Sequence, residues 1–155
     1  LQPNKKMRFS MFEKILYPTD FSDVSQKAMA YIKQLKDSGT KEVLVLHVLD
    51  SRTTDVLAQH MANSDIQNLL KSQQEETRKS LMQIENELKQ AGLAVTIRTT
   101  RGIPVQEILK TEKEANVSAI VIGSHGTSNL KEMFMGSVSE KVIRKCTKPV
   151  LVVKR

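Results

Sequence analysis

The stretch VLVLHVL, residues 43–49, decides the fold class of this chain. Six of its seven residues are apolar, whereas a strand with one face in water alternates apolar and polar side chains. Such a run is typical of a parallel strand that is covered by helices on both faces. It therefore predicts an α/β fold with a sheet between two helical layers.

Strand-like and helix-like segments alternate on both sides of that stretch. Predicted strands are residues 13–19 (EKILYPT), 43–49, 94–99, 118–122 (SAIVI) and 150–153, and predicted helices are residues 23–36, much of 51–91, 104–115 and 137–146. Ser22 or Asp23 is the predicted N-cap of the first helix. A break near residues 62–65 predicts a mobile first part of the 51–91 stretch and a well-formed helix after it. Five strands with four helical connections predict a three-layer sandwich around a five-stranded parallel sheet with right-handed crossovers.

Length and composition place further bounds on the chain. Its 155 residues predict a single domain over residues 11–155, with residues 1–10 as a flexible N-terminal tail or an expression remnant. No apolar run approaches the roughly 20 residues that cross a bilayer, so no integral membrane protein is expected. The first residues lack the apolar core of a signal peptide, which predicts a cytoplasmic protein. The lone Cys146 excludes an internal disulfide.

The positive charge of the chain is concentrated in its tails. The formal net charge is +7, and removing the five basic residues of the two acid-free tails leaves +2 on the body. Those tail residues are Lys5, Lys6, Arg8, Lys154 and Arg155. Aromatic residues make up 4% of the chain and Trp is absent, so stacking platforms for bases are scarce. The composition argues against a nucleic-acid or membrane partner.

Polar and small residues follow the first and fourth predicted strands. Ligands of parallel α/β sheets bind beyond the carboxyl ends of the strands, where the strand order reverses. PTDFS, residues 18–22, follows the first strand, and GSHG, residues 123–126, follows the fourth. Gly136 and Ser137 then open the last helix, which gives the spacing G-x2-G-x9-G-S. These two segments form the candidate ligand site.

Each member of the glycine motif has a physical role if the ligand carries phosphate. Gly123 lets the backbone approach a ligand, and Gly126 can adopt positive φ so that successive N–H groups converge on an anion. Gly136 stands at a helix start, where free N–H groups and the helix dipole favour phosphate, and Ser137 and Ser139 add hydroxyl donors. Turn formation alone explains glycines at these places equally well, so the spacing by itself leaves phosphate binding open.

Asp20 has a different predicted role, because a carboxylate repels phosphate. It can accept hydrogen bonds from ribose hydroxyls or an adenine amino group, or hold a metal through water. With Ser22 beside it, Asp20 can also serve as a helix cap without any ligand.

These segments resemble the ATP-binding branch of the universal stress protein family. The resemblance runs through KILYPTDFS, LHVLD, RGIP, IGSHGTSNLKEMFMGSVS and KPVLVVKR, and the G-x2-G-x9-G-S spacing at Gly123, Gly126, Gly136 and Ser137 is its discriminating feature. It implies a Rossmann-like adenine-nucleotide-binding fold with strand order 3-2-1-4-5. It also implies ATP as the ligand, with Mg²⁺ or Mn²⁺, and homodimers formed by the last strand, Val150–Val153.

The resemblance also implies a role for each matched residue. The residues implied at the adenosine end are Pro18, Thr19, Asp20, Val48 beside the adenine, Gly102 bordering the base, Ile122 and Gly123. The residues implied at the phosphates are Gly126, Gly136, Ser137, Val138 and Ser139. No residue is predicted to be catalytic, and none is predicted to ligate a metal directly.

The absence of familiar catalytic motifs bears on the activity. Neither a G-x-x-x-x-G-K-[ST] loop nor a G-x-G-x-x-G after the first strand occurs, and no clear general base is evident, so slow or no hydrolysis is expected. The favoured function is a nucleotide-dependent switch or sensor in the stress response. In it, ATP orders residues 127–135 and 51–64 and changes the surface offered to an unknown protein partner. The alternatives are a slow ATP hydrolase that needs a partner and a nucleotide-independent dimeric scaffold.

Overall fold

A computed structural model describes residues 12–60, 63–127 and 135–155 of the chain. Strands and helices alternate in it as the sequence predicts. The strands are Lys14–Pro18 (β1), Glu42–Asp50 (β2), Ala94–Gly102 (β3), Ala119–Gly123 (β4) and Val150–Val153 (β5). The helices are Asp23–Leu35 (α1), Ser51–His60 (α2), Asn63–Gln90 (α3), Pro104–Glu114 (α4) and Ser137–Lys145 (α5), with a 3₁₀ turn at Lys36–Ser38 after α1.

The five strands form one parallel sheet in the order β3-β2-β1-β4-β5, which confirms the predicted fold class and strand order. Ile15 of β1 pairs with Val43 of β2 on one side and with Ala119 of β4 on the other. The strand order therefore reverses between β1 and β4. The segments that follow these two strands lie next to each other at the carboxyl edge of the sheet.

Both faces of the sheet are buried, as the continuous apolar run of β2 predicts. Val43 and Val45 belong to one core cluster, together with side chains of α1 and α3. Leu44 and Leu46 point to the opposite face and belong to a second cluster, together with Ile108 of α4 and Val142 of α5. Alternation of side chains along a strand produces this division.

The structure adds detail at two places of the sequence prediction. Residues 51–60, the first part of the predicted helical stretch, form the helix α2, and their predicted mobility stays a prediction. The third strand continues three residues beyond its predicted end at Thr99, so Gly102 is its last residue. Ser22 is confirmed as the N-cap of α1, because its Oγ accepts a 3.3 Å hydrogen bond from the N–H of Ser25.

Two predictions cannot be compared with the structure in full. The tail predicted for residues 1–10 lies outside the described residues, as does most of the 127–135 segment predicted to respond to ATP. Among the described helices, none combines the length and apolar character needed to span a bilayer.

Candidate functional site

A cavity of about 400 Å³ lies at the carboxyl edge of the sheet, where β1 and β4 diverge. The structure brings eleven of the twelve candidate site residues to this cavity. They are Pro18, Thr19, Asp20, Val48, Ile122, Gly123, Gly126, Gly136, Ser137, Val138 and Ser139. The twelfth, Gly102, is the last residue of β3 and is not among the lining residues of the cavity.

Hydrogen bonds within the protein hold the segment that follows β1. The buried Thr19 hydroxyl accepts hydrogen bonds from the N–H of Phe21 at 3.1 Å and from Ser25 Oγ at 2.7 Å. The Thr19 carbonyl accepts a 2.9 Å bond from His47 Nδ1, and the Phe21 ring stacks on His47 with centroids 4.5 Å apart. Thr19 therefore shapes the cavity wall, and its hydroxyl is already engaged by protein donors.

Asp20 connects the segments that follow β1 and β4. Its Oδ1 accepts hydrogen bonds from the N–H and Oγ of Ser22, at 3.1 and 2.6 Å. Its Oδ2 accepts a 3.0 Å bond from the N–H of Thr127, just after Gly126. The carboxylate is exposed at the cavity, and Ser22 caps α1. Both oxygens of Asp20 thus have protein partners.

Gly126 lies against Asp20, and the expectation of positive φ there is wrong. Positive φ occurs at Gly39 and Gly92 among the described glycines, and not at Gly126. A Cβ built on Gly126 would lie 2.7 Å from Oδ2 of Asp20, closer than real Cβ atoms approach an oxygen. A side chain at this position would therefore have to displace the end of the Asp20 side chain.

Gly123 is also required by packing within the protein. A Cβ at Gly123 would lie 3.0 Å from Cγ1 of Val24 and 3.2 Å from the N of Ser25, at the start of α1. The absence of a side chain lets the first turn of α1 pack against the end of β4. A contact with a ligand is not needed to explain this glycine.

The N-terminus of α5 opens into the cavity without a side-chain cap. Gly136 is its N-cap, with φ −74° and ψ 155°, and donates its N–H to the carbonyl of Ser124 at 2.7 Å. The first-turn residues Ser137, Val138 and Ser139 line the cavity. Because the first N–H groups of a helix have no partner within the helix, they are available there to bind an anion.

Ser139 departs from its predicted role as a hydroxyl donor to phosphate. Its side chain is buried, and its Oγ donates a 2.7 Å hydrogen bond to the carbonyl of Gly123. This bond attaches the start of α5 to the end of β4. The hydroxyl proton is therefore used inside the protein, whereas the neighbouring Ser137 is exposed.

One part of the cavity wall is apolar. Leu46, Ile108 and Ile122 are members of the core cluster on the α4 and α5 face of the sheet, and Val48 and Val138 pack against it. All five also line the cavity. The cavity therefore joins an apolar wall, suited to a flat ring, to a polar rim of backbone N–H groups.

Sequence reasoning missed the residues that follow β2. Asp50 and Arg52 line the cavity and form a two-pronged ion pair, with Nε to Oδ1 at 2.9 Å and Nη2 to Oδ2 at 2.5 Å. The hydrogen bond from Arg52 lowers the pKa of Asp50. The rule that pointed to the ends of β1 and β4 also applies to the end of β2, so LHVLD with the Arg52 beyond it was the available signal.

Other lining residues were not predicted as site residues because they are apolar residues or small polar residues. They are Ser25, Leu46, Thr53, Pro104, Ile108 and Thr127. His125 of the GSHG segment also lines the cavity. His125 Nδ1 shares a 2.7 Å hydrogen bond with Ser124 Oγ. Within the described ranges, no group of three or more His, Cys, Asp or Glu residues could hold a metal ion.

The strand order and the cavity define a Rossmann-like α/β protein with a cavity where the strand order reverses. Comparison with known proteins gives the family. The model of the universal stress protein family matches residues 11–154, and the chain belongs to this family.

Several relatives match over most of their length. The chain is 40% identical to the universal stress protein MJ0577 of Methanocaldococcus jannaschii, over 94% of this chain and 96% of that protein. The solved structure of MJ0577 superposes with a TM-score of 0.84 at 41% identity, over 94% of this chain and 97% of that one. The universal stress protein YxiE of Bacillus subtilis is 36% identical, over 93% and 100% of the two chains.

A more distant structure shares the fold alone. The universal stress protein of Archaeoglobus fulgidus in complex with dAMP superposes with a TM-score of 0.62 at 21% identity, over 93% of this chain and 99% of that one.

Proposed function

We propose that this universal stress protein binds ATP in the cavity between β1 and β4 and acts as a nucleotide-dependent switch or sensor in the stress response. The observation that carries the proposal is the meeting of two features in one cavity. The uncapped N-terminus of α5 offers N–H groups to an anion, and the cluster around Val48 and Ile122 offers an apolar surface to a base. An adenine nucleotide has both parts.

The proposed contacts follow the chemistry of the wall. We assign the base to the apolar wall around Val48 and Ile122, and the ribose to the neighbourhood of Asp20 and Gly123. The phosphates are assigned to the loop at Gly126 and to the first turn of α5. Thr19 and Ser139 support the site through their internal hydrogen bonds, since their hydroxyls are engaged by protein groups.

A divalent cation fits the charge of this cavity. The lining contains the carboxylates of Asp20 and Asp50, and Arg52 is already paired with Asp50. The polyphosphate would therefore depend on backbone N–H groups and on a cation bound with it. Mg²⁺ or Mn²⁺ would supply that neutralising charge to the phosphates.

The switch is proposed to act through α2, which begins where β2 ends. Arg52 and Thr53 line the cavity, and Arg101 of β3 donates to Thr54 Oγ1 at 3.2 Å and to Asp55 Oδ1 at 3.1 Å. Arg52 belongs to α2, so a ligand that contacts Arg52 can bias the position of this helix relative to β3, to which these bonds attach it. A cytoplasmic protein partner would then read the changed surface.

Calorimetry and nucleotide release test the proposal. The purified chain is denatured, released nucleotide is identified by chromatography, and ATP with Mg²⁺ is titrated into stripped protein. We expect ATP recovered or bound near one per chain. Absence of both nucleotide and heat would favour the nucleotide-independent scaffold. Phosphate release that rises sharply with a cell-extract fraction, and is lost in Gly126→Val, would favour the slow hydrolase.

A homodimer formed by β5 is part of the proposal. In the described sheet, β5 is an edge strand that pairs with β4 on one side, and Val150–Val153 carries four apolar side chains. An open apolar edge invites pairing with a second copy. Light scattering at micromolar concentration is expected to give twice the chain mass, and a monomer would contradict this part of the proposal.

A further inference from the structure

The carboxylate of Asp20 lies against the glycine loop to which the proposed function assigns the phosphates. Its Oδ2 accepts the N–H of Thr127 at 3.0 Å, and it lies 2.7 Å from where a Cβ of Gly126 would stand. Its Oδ1 is fixed by two donors of Ser22. Oδ2 therefore contacts the glycine loop, while Oδ1 is fixed by Ser22 in the segment that follows β1.

The N–H of Thr127 is the kind of group that binds phosphate in a glycine loop. Backbone N–H groups in such loops bind anions, and a hydrogen bond to a charged acceptor is stronger than one between neutral groups. Asp20 acts here as an anion supplied by the protein. An incoming phosphate must either displace this carboxylate from Thr127 or remain beside its negative charge.

The other charges of the described cavity wall do not offset Asp20. Among the described lining residues, Arg52 is the one lysine or arginine, and both oxygens of Asp50 bind it. The described Asp, Arg and Lys side chains of the lining therefore carry a net negative charge. Each unneutralised charge on a bound phosphate chain adds to the repulsion.

We propose that Asp20 determines the charge of the nucleotide that this cavity accepts. Adenosine or a monophosphate enters without a cation, whereas a triphosphate binds well only after a divalent cation has neutralised part of its charge. This inference rests on the proposed nucleotide site and adds a specificity-determining residue to it.

The test compares three ligands and two matched variants. Adenosine, AMP and ATP are titrated by calorimetry into wild type, Asp20→Asn and Asp23→Asn, with and without Mg²⁺. Asp23→Asn removes the same charge from an exposed residue of α1 that is not among the lining residues of the cavity. Thermal unfolding first establishes that both variants are folded.

The expected result is specific to phosphate. Asp20→Asn should bind Mg²⁺-free ATP about tenfold more tightly than wild type, since the charged acceptor on Thr127 is gone. Its affinity for adenosine should change by less than about threefold, and the gain in ATP affinity on adding Mg²⁺ should shrink. Asp23→Asn should match wild type with every ligand.

Two outcomes would overturn the inference. Equal loss of adenosine and ATP affinity in Asp20→Asn would make Asp20 a ribose contact only, and unchanged ATP affinity would give the carboxylate no role in selection. If wild type binds no adenine nucleotide, the proposed function fails separately.

A measurement without nucleotide keeps the two failures apart. Hydrogen exchange of the Thr127 amide is followed by NMR in wild type and in Asp20→Asn, and pyrophosphate is then added to each protein. Asp20→Asn should exchange faster and show the larger pyrophosphate shift at that amide. Equal exchange rates and equal shifts in the two proteins would show that Asp20 does not protect the Thr127 amide or compete with phosphate for it.

Discussion

Asp20 and Thr127, 107 residues apart in the chain, are joined by a 3.0 Å hydrogen bond from a backbone N–H to a carboxylate oxygen. The bond crosses from the segment after β1 to the segment after β4. These two strands are neighbours where the strand order reverses, so the sheet topology brings the partners together. A polar contact of this kind fixes the shape of the cavity mouth.

Replacing Gly136 by Val is expected to weaken ATP more than adenosine. A Cβ at this N-cap would lie 3.3 Å from the carbonyl oxygen of Ser124 and 3.4 Å from Cα of His125, which are backbone atoms that cannot rotate away. The start of α5 must therefore shift, and the N–H groups that we propose bind the phosphates would no longer point toward them. We expect about a tenfold loss for ATP, measured by calorimetry.

The smaller change Gly136→Ala provides a graded comparison. Its single Cβ requires a displacement of only a few tenths of an ångström, so a smaller loss of ATP affinity is expected. Equal losses for adenosine and ATP in Gly136→Val would show that the phosphates do not bind at α5.

Ser139→Ala is expected to destabilise the fold by about 1–2 kcal/mol. Its buried Oγ donates to the carbonyl of Gly123, and removing it takes a partner from a buried acceptor between α5 and β4. Urea unfolding monitored by circular dichroism measures the change. Ser137→Ala is the matched control, because Ser137 is exposed, and its effect should stay below about 0.5 kcal/mol. Equal stability of the two variants would contradict the assigned bond.

Glu112 is expected to be the most sensitive charged residue for stability. It is fully buried on α4, and its Oε1 accepts three hydrogen bonds, from the N–H and Oγ1 of Thr147 and from the N–H of Lys148. Glu112→Ala removes these from the turn that leads into β5. We expect a loss of about 2–4 kcal/mol in urea unfolding.

Two variants control for that prediction. Glu112→Gln keeps an acceptor oxygen in place and should lose less stability than Glu112→Ala. Glu114→Ala, which breaks an exposed ion pair with Arg98, should change stability little. If Glu112→Ala behaved like Glu114→Ala, the buried turn contacts would have no energetic weight.

The fold was predictable because its signals are local. The run VLVLHVL identifies a strand buried on both faces, and the G-x2-G-x9-G-S spacing lies between the end of β4 and the start of α5. Residue type and position narrowed the N-cap of α1 to Ser22 or Asp23, and the structure identifies Ser22. Each of these features depends on residues that are close in sequence.

The hydrogen bonds and close contacts within the site were not predictable, because they join segments that are distant in the sequence. Positive φ was a reasonable expectation for Gly126, yet the structure shows instead a close contact between this glycine and the side chain of Asp20. The sequence predicted that the Ser139 hydroxyl donates a hydrogen bond to phosphate, whereas in the structure it donates to the carbonyl of Gly123. The length of β3 depends on pairing with β2 as far as Gly102, which no local signal reveals.

Tyr17 gives a prediction for alkaline pH. Its hydroxyl donates to the carbonyl of Ser25 at 2.7 Å in the core, and burial raises its pKa above the ordinary value of 10.0. A pKa raised by folding means that the folded state holds its proton more strongly. The contribution to stability is therefore complete below about pH 10 and is lost as pH rises toward the raised pKa.

Tyr17→Phe should remove that dependence. The variant loses the hydrogen bond to Ser25 and should be about 1 kcal/mol less stable near neutral pH. Wild type should lose part of this advantage between about pH 9 and 11, because unfolding then releases a phenol that ionises more readily in water. Urea unfolding from neutral pH to about pH 11 measures the difference in stability between wild type and Tyr17→Phe. Tyr31→Phe, on the exposed face of α1, is the control. A constant difference between wild type and Tyr17→Phe across this range would mean that the Tyr17 phenol ionises as readily in the folded as in the unfolded chain.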